Sequence, residues 1–430
     1  MRQEPTTTPT PADDSWLAKL GPGFVTGAAD DDPSGIATYS QAGAKFGFDL
    51  LWTMVLTYPL MVGIQLICAR IGQVTGHGLA TNIRRHYPPA FLYAAVALLL
   101  VANTVNIAAD IAAMGDVVKL LVGGNSLVYV VLFGMVSLLL QLFIPYTRYV
   151  RILKWLTLAL LAYVGTVLVV NVPWREVAVR TFVPHFSWNA DAVTMMVAIF
   201  GTTLSPYLFF WQASQEVEEQ RADPHGRPLK RTSRRFALRA LLRIRDDTAI
   251  GMAFSNVVAF FIILTTAATL HATGVGEIET SAQAANALRP VAGEFAYLLF
   301  SLGIIGTGLL AVPVLAGSAA YAMAGAFRWR SSLELQPSAA KPFYAIIVAS
   351  TLGGVAVNFM PLDPIKALFW SAVVNGVIAV PMMVIIMLIA SRRDVMGNYV
   401  TAGTLKALGW GSTVAMAAAV AAMFWTMAVT

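Results

Sequence analysis

Residues 28–35 read Ala28-Ala29-Asp30-Asp31-Asp32-Pro33-Ser34-Gly35, three acids set against a proline inside an apolar stretch running from 22 to 44. An Asp at the centre of a bilayer costs about 2.5–3.5 kcal/mol on the insertion scale, so it has a functional reading by default. Pro33 cannot donate a helical hydrogen bond, and it disfavours helix at Asp32. Ser34 and Gly35 add local flexibility. The stretch predicts a helix that unwinds here and leaves free carbonyls beside a carboxylate. Unwound backbone at this depth is tolerated only where it is buried in protein or lines a cavity. Carbonyl and carboxylate oxygens suit a cation. With the acids at the membrane surface instead, the span would begin near Ile36 and be too short before Lys45.

A second defect matches the first. Gly201-Thr202-Thr203-Leu204-Ser205-Pro206-Tyr207 interrupts another apolar segment, and Pro206 follows Pro33 by 173 residues. Each interrupted segment opens a group of five spans. Two broken segments at corresponding positions of two halves point to an inverted-repeat transporter with its site at the midplane. An odd group of five inverts the second half.

Composition agrees. Of 430 residues, 57% are hydrophobic and 12% charged, half the roughly 25% charge of a soluble domain. Mean hydropathy is +0.67. So little charge cannot cover a soluble surface, which excludes ordinary soluble enzymes and nucleic-acid-binding modules despite the net charge of +6. We count 11 apolar segments, near 22–44, 48–71, 90–117, 126–145, 150–171, 190–216, 247–272, 292–327, 343–359, 366–390 and 405–428. The expected fold is an all-α polytopic membrane protein of 11 transmembrane helices. Residues 1–20 read as a disordered cytoplasmic tail, and 21–430 as one transporter domain. Its repeats span about 21–172 and 190–391, with an extra helix at 405–428. The eighth segment is too long for one straight span and is expected to tilt or run beyond the bilayer. The single cysteine, Cys68, reads as a small buried apolar residue.

With the N-terminus inside and sides alternating, six of the 29 Lys and Arg fall outside: Lys45, Lys119, Arg175, Arg180, Arg289 and Lys366. The other 23, including Arg148, Arg151 and Lys154, fall inside. This bias places the N-terminus in the cytoplasm and, with 11 spans, the C-terminus outside, in a cell (inner) membrane. The basic run 221–245 then reads as a positive-inside loop near anionic headgroups, ending in a basic helix near 234–245 on the membrane surface. No nucleic-acid partner and no obligate protein partner is evident.

At these residues the sequence resembles the NRAMP family of divalent metal transporters. Gly21-Pro22-Gly23-Phe24 followed by Asp32-Pro33-Ser34-Gly35 is similar to the family's GPGF…DPGN first helix. Gly201 through Tyr207 sits where the family has G-A-T-V-M-P-H, and Asp247 through Asn256 resembles the start of its seventh helix. The resemblance covers segments 1–10 and implies a LeuT-like fold of two inverted five-helix repeats with helices 1 and 6 broken. It implies a divalent cation as substrate, no cofactor, and no enzymatic activity. In the family, Asp and Asn of the first helix, with a Met and an Ala carbonyl of the sixth, hold the metal. The positions here are Asp32, Gly35, Ser205 and Thr202.

The departures carry the substrate reading. Replacing Met by Ser205 removes the soft thioether and leaves carboxylate, hydroxyl and backbone oxygen, a set for Mg²⁺, Mn²⁺ or Ca²⁺ over softer metals. Shorter side chains suggest a roomier site, which fits an ion that dehydrates reluctantly. The pattern resembles the family's magnesium-transporting branch and implies Mg²⁺ uptake, with Mn²⁺ as second ion. The family's His after the proline is Tyr207 here, and the Glu three residues after Asp110 is Ala113. Weak or absent proton coupling follows. The alternatives are a proton-coupled Mn²⁺/Fe²⁺ transporter and an ion-coupled symporter of an organic solute on the same fold.

Second-tier positions are Asp30, Asp31, Tyr207, Asp110 and Asn256. Asp30 and Asp31 add carboxylates for a hydrated ion or form a solvated cavity wall. Asn103, Asn106 and Asp110 share one face of the third span and either line the pathway or join helices. Asn256 and Asn375 read first as packing amides. Gln212, Glu216 and Glu219 read as a solvated helix end, with a cation vestibule as the alternative.

Overall fold

Proline sets both interruptions. The structure is a computed structural model that describes residues 21–145, 157–223, 226–360 and 363–429. Pro33 opens helix α2 (Pro33–Phe46) directly after α1 (Pro22–Asp30). A proline suits that first helical position because its missing N–H would be unpaired there anyway. Asp31 (φ −83°, ψ 51°) and Asp32 (φ −69°, ψ 169°) leave helical dihedrals. The sixth segment repeats the pattern. Its two halves are Ala190–Thr203 and Pro206–Ala222, with Leu204 (φ −116°, ψ 46°) and Ser205 (φ −71°, ψ 130°) between them.

The longer and site-forming helices that follow in chain order are α3 (Trp52–Thr75), α4 (Leu79–His86), α5 (Pro89–Val122), α6 (Ser126–Phe143) and α7 (Leu161–Val169). The sixth-segment halves become α8 and α9. They are followed by α10 (Arg234–Thr269), α11 (Ala296–Phe327), α12 (Lys341–Val357), α13 (Pro364–Ala390) and α14 (Gly403–Val429). Among the described residues, eight helical stretches are long and apolar enough to cross a membrane, with α8–α9 counted as one. The shorter apolar α7 and α12 and the broken pair α1–α2 occupy the other expected positions. Residues 1–20 and the basic trio Arg148, Arg151 and Lys154 lie outside the described residues.

One expectation is corrected. The basic stretch 234–245 is not a separate surface helix but the first turns of α10, which runs unbroken to Thr269. Ser233 caps it by accepting from the Phe236 amide. The Arg, Ala and Leu of this stretch are good helix formers, so the helix continues where the hydropathy falls. The eighth segment is one 32-residue helix, α11, with Pro313 inside it.

Apolar side chains cover the outside, and acids lie within. Phe143 and Leu168 are 75% and 78% exposed, whereas Asp30, Asp31 and Asp32 are at most 2% exposed. An apolar outer surface with carboxylates buried inside fits lipid as the surrounding solvent. Two backbone-to-backbone crossings hold the broken helices. A Cβ on Gly27 of α1 would overlap the Gly251 carbonyl of α10, and one on Gly201 of α8 would overlap the Ala372 carbonyl of α13. Both broken segments are thereby pressed onto intact helices.

Candidate metal centre

Asp32 sits where the two breaks meet. Its Oδ1 accepts the Gly35 amide at 2.7 Å and so caps α2. Its Oδ2 accepts the Asn106 side-chain amide of α5 at 2.9 Å and the Tyr207 hydroxyl of α9 at 3.3 Å. The same hydroxyl lies 3.1 Å from the Ala29 carbonyl, the last turn of α1. A Cβ on Gly35 would come within 3.0 Å of Thr202 Oγ1. Asp32, Gly35, Thr202 and Tyr207 are therefore brought together, with Asp32 and Tyr207 175 residues apart in the chain but adjacent in space.

Ser205 is close in the chain yet turned inward on its own helix. Its hydroxyl lies 2.8 Å from both the Gly201 and Thr202 carbonyls. It covers the last turn of α8 and makes no hydrogen bond to Asp32. Asp30 and Asp31 are neither solvated nor a cavity wall. Ser255 of α10 places its hydroxyl 2.6 Å from Asp30 Oδ2 and 3.1 Å from Asp31 Oδ1. The other oxygen of each acid, and both oxygens of Asp110, are buried without a hydrogen-bond partner among the described residues. Unpaired buried acceptors cost about 1–3 kcal/mol each, more when charged. The acids thus form a strongly electronegative interior. Among the described residues no three His, Cys, Asp or Glu side chains are grouped to cage an ion by themselves.

The polar face of α5 divides its labour. Asn106 holds Asp32, whereas Asn103 bonds to the Leu315 carbonyl and Ser318 of α11 and joins helices. Asn256 belongs to packing. Its amide donates to the Met54 carbonyl at 3.0 Å and its oxygen accepts from Thr57, both on α3. These bonds match the packing role read first for Asn256. Ser255, one position earlier, is the α10 residue that reaches the acids. Its sequence signal was only its place in the stretch Asp247–Asn256.

One α9 acid is also corrected. Glu216 is 1% exposed and is not a solvated helix end. It accepts from Gln73 of α3 at 3.0 Å and from Gln212 at 3.1 Å, and Gln220 donates back to Gln73 at 2.9 Å. Glu219 pairs with Arg243. Below the site, Asp247 accepts the backbone amides of Gly21, Gly23 and Phe24 at 2.8, 2.7 and 3.3 Å. One carboxylate from the start of α10 thus closes the first turn of α1, where orphan N–H groups and the helix dipole favour an anion.

This clamp makes a prediction. Losing such a cap costs about 0.5–2 kcal/mol, so Asp247→Ala is expected to loosen the start of α1. In a Phe24→Cys background, thiol labelling should quicken about 2- to 30-fold. Cys68 is fully buried and stays silent. Unchanged labelling would show that the three bonds do not hold α1 in place.

A family model described as Nramp, natural resistance-associated macrophage protein-like, matches residues 23–426. The chain is 27% identical over 401 residues to the divalent metal cation transporter MntH of Klebsiella pneumoniae, covering 92% of this chain and 90% of the relative. It is 27% identical over 403 residues to MntH of Yersinia enterocolitica, covering 91% of each. The structure of the Eremococcus coleocola manganese transporter in complex with an aromatic bis-isothiourea substituted compound superposes with a TM-score of 0.73. That match has 18% identity and covers 96% of this chain and 89% of that one. MhsT in complex with L-phenylalanine gives a TM-score of 0.61 at 13% identity, covering 94% and 98%. The expected LeuT-like helical architecture is borne out by these folds.

Proposed function

The chain belongs to the Nramp family of divalent metal transporters, and from that premise we propose that it imports Mg²⁺, with Mn²⁺ as a second ion. We assign the ion to Asp32, the backbone near Gly35 and Thr202, and the Ser205 hydroxyl once it turns from its own helix. Asp31 and Tyr207 stand in support. The N-terminus is read as cytoplasmic and the C-terminus as external. The repeats are read as about 21–172 and 190–391 within one domain.

One observation carries the choice of ion. Asp32 presents one carboxylate, steadied by an amide and a phenol, in an oxygen-rich interior. Mg²⁺ usually keeps several waters and is held by one or two carboxylates rather than by a full protein cage. A thioether at position 205 would favour softer ions; serine does not. Tyr207 also bears on coupling. A phenol ordinarily titrates near 10, so it is a poor carrier of protons at neutral pH. Uptake then follows the membrane potential, which favours entry of a dication by about 4.6 kcal/mol per 100 mV.

The test is flux into proteoliposomes carrying a pH-sensitive dye, with Mg²⁺, Mn²⁺ and Ca²⁺ compared at fixed potential. Saturable Mg²⁺ uptake without acidification of the lumen is expected. Mn²⁺ uptake with acidification and no Mg²⁺ flux would instead establish the proton-coupled alternative, with Asp110 as the carrier to examine.

A further inference from the structure

Away from the acids, a cavity of about 250 Å³ opens between α4, α9 and α11. This is far more than the roughly 10–15 Å³ that one water needs. It lies on the basic face assigned above to the cytoplasm, and its lining has the opposite charge character from the transport site. Arg84, Arg221 and Arg328 face it, against one acid, Glu218. Glu218 is already engaged, paired with Arg221 at 3.6 Å and accepting from Ser332. Arg84 donates to the Gly325 carbonyl and so closes the end of α11.

The floor of the cavity is the start of α4. Gly78 caps that helix without a side-chain hydrogen bond. The first-turn amides of Leu79, Ala80 and Thr81 have no protein acceptor among the described residues. Two glycines keep the approach open. A Cβ at Gly325 would stand 3.1 Å from the Thr81 amide nitrogen, and one at Gly78 would stand 3.1 Å from Ser214 Oγ. Ser214 is the independent sign of a ligand. It is 93% buried, lines the cavity, and its hydroxyl has no hydrogen-bond partner among the described residues. The potential here is positive. Burial first, then the charges of Arg85, Arg221 and Lys230, pull the His77 imidazole at the rim down to about 4, so it stays neutral at pH 7.

We propose that this cavity binds a phosphate group, held by the first-turn amides of α4, the Ser214 hydroxyl and the guanidinium groups of Arg221 and Arg328. A dianion would balance the surplus of guanidinium over carboxylate, and free helix-start amides are a ready anion cradle. Three sets of donors converge, which suits a tetrahedral oxyanion, and arginine forks match phosphate oxygens in pairs. A dication leaving the transport site gains nothing from such a lining. The phosphate is either free in solution or part of a lipid headgroup, and the chemistry of recognition is the same.

The experiment uses the full chain in phosphate-free detergent. Inorganic phosphate is titrated by calorimetry at constant ionic strength set with chloride. In a second arm, short-chain phosphatidic acid and phosphatidylcholine compete for the protein in native mass spectrometry. The variants are Arg328→Gly and Ser214→Ala. Glycine suits position 328 because Arg328 has φ +61°. Expected are single-site saturation by at least one phosphate probe, a loss of about tenfold or more with Arg328→Gly, and a smaller loss with Ser214→Ala. Inorganic phosphate alone saturating the site identifies a soluble ligand; phosphatidic acid alone identifies a lipid. Failure of both probes to saturate the wild-type protein overturns the proposal. So does wild-type affinity in a folded Arg328→Gly protein or, if that protein does not fold, in Ser214→Ala.

Discussion

Asp32→Asn is expected to abolish binding of Mg²⁺ and Mn²⁺ while leaving the apo protein folded. Asparagine is as good a helix cap as aspartate, so the bond to the Gly35 amide that starts α2 survives the change. The charge is lost, together with the acceptor that Oδ2 offers the Asn106 amide and the Tyr207 hydroxyl. Removing one partner of a buried charge pair costs about 3–5 kcal/mol, or roughly a 150- to 5000-fold fall in affinity. Calorimetric titration of each ion reads the loss, and a melting curve of the metal-free protein reads the fold. An affinity within tenfold of wild type would remove Asp32 from the site. Asp32→Ala would lose the cap and the charge together, so asparagine is the cleaner variant.

Ser205→Met is expected to shift selectivity toward softer metals, raising the Cd²⁺/Mg²⁺ ratio in competition flux by about tenfold or more. Two effects act in one direction. The thioether adds a soft ligand, and its bulk penalises an ion that arrives with its waters. The change also removes the hydroxyl that now lies against the Gly201 and Thr202 carbonyls. Those carbonyls are then free to turn toward the break. An unchanged ratio in a variant that still transports would show that position 205 does not reach the ion. Restoring the family's asparagine at position 35 is a different matter. A Cβ there already meets Thr202 Oγ1 at 3.0 Å, so Gly35→Asn needs Thr202→Ala beside it. Both positions depart from the family pattern, and they share one space.

Both breaks were legible from the chain alone. A proline at the start of a half-helix acts on its immediate neighbours, and no distant residue is needed to foresee it. The apolar segments were legible for the same reason, since about 20 apolar residues suffice to cross a bilayer as a helix. Their ends were less so. The start of α10 was placed near 247 because hydropathy drops before it, whereas helix propensity carries the backbone on from Arg234. Hydropathy reports where lipid ends, not where hydrogen bonding ends.

Other features turn on how helices rotate against one another. The sequence by itself determined an acid at a proline break and its partner break 173 residues later. Only the tertiary structure decided that Asn106, 74 residues away, holds Asp32, and that Ser255 rather than Asn256 reaches Asp30 and Asp31. It also decided that Asp247, 226 residues from Gly21, clamps the start of α1, and that Glu216 is buried in a network with Gln73. Adjacent positions on a helix point about 100° apart, so a rotation of that size exchanges Ser255 for Asn256. That rotation is set here by the backbone contact between Gly27 and Gly251, a pairing 224 residues apart that local pattern cannot register.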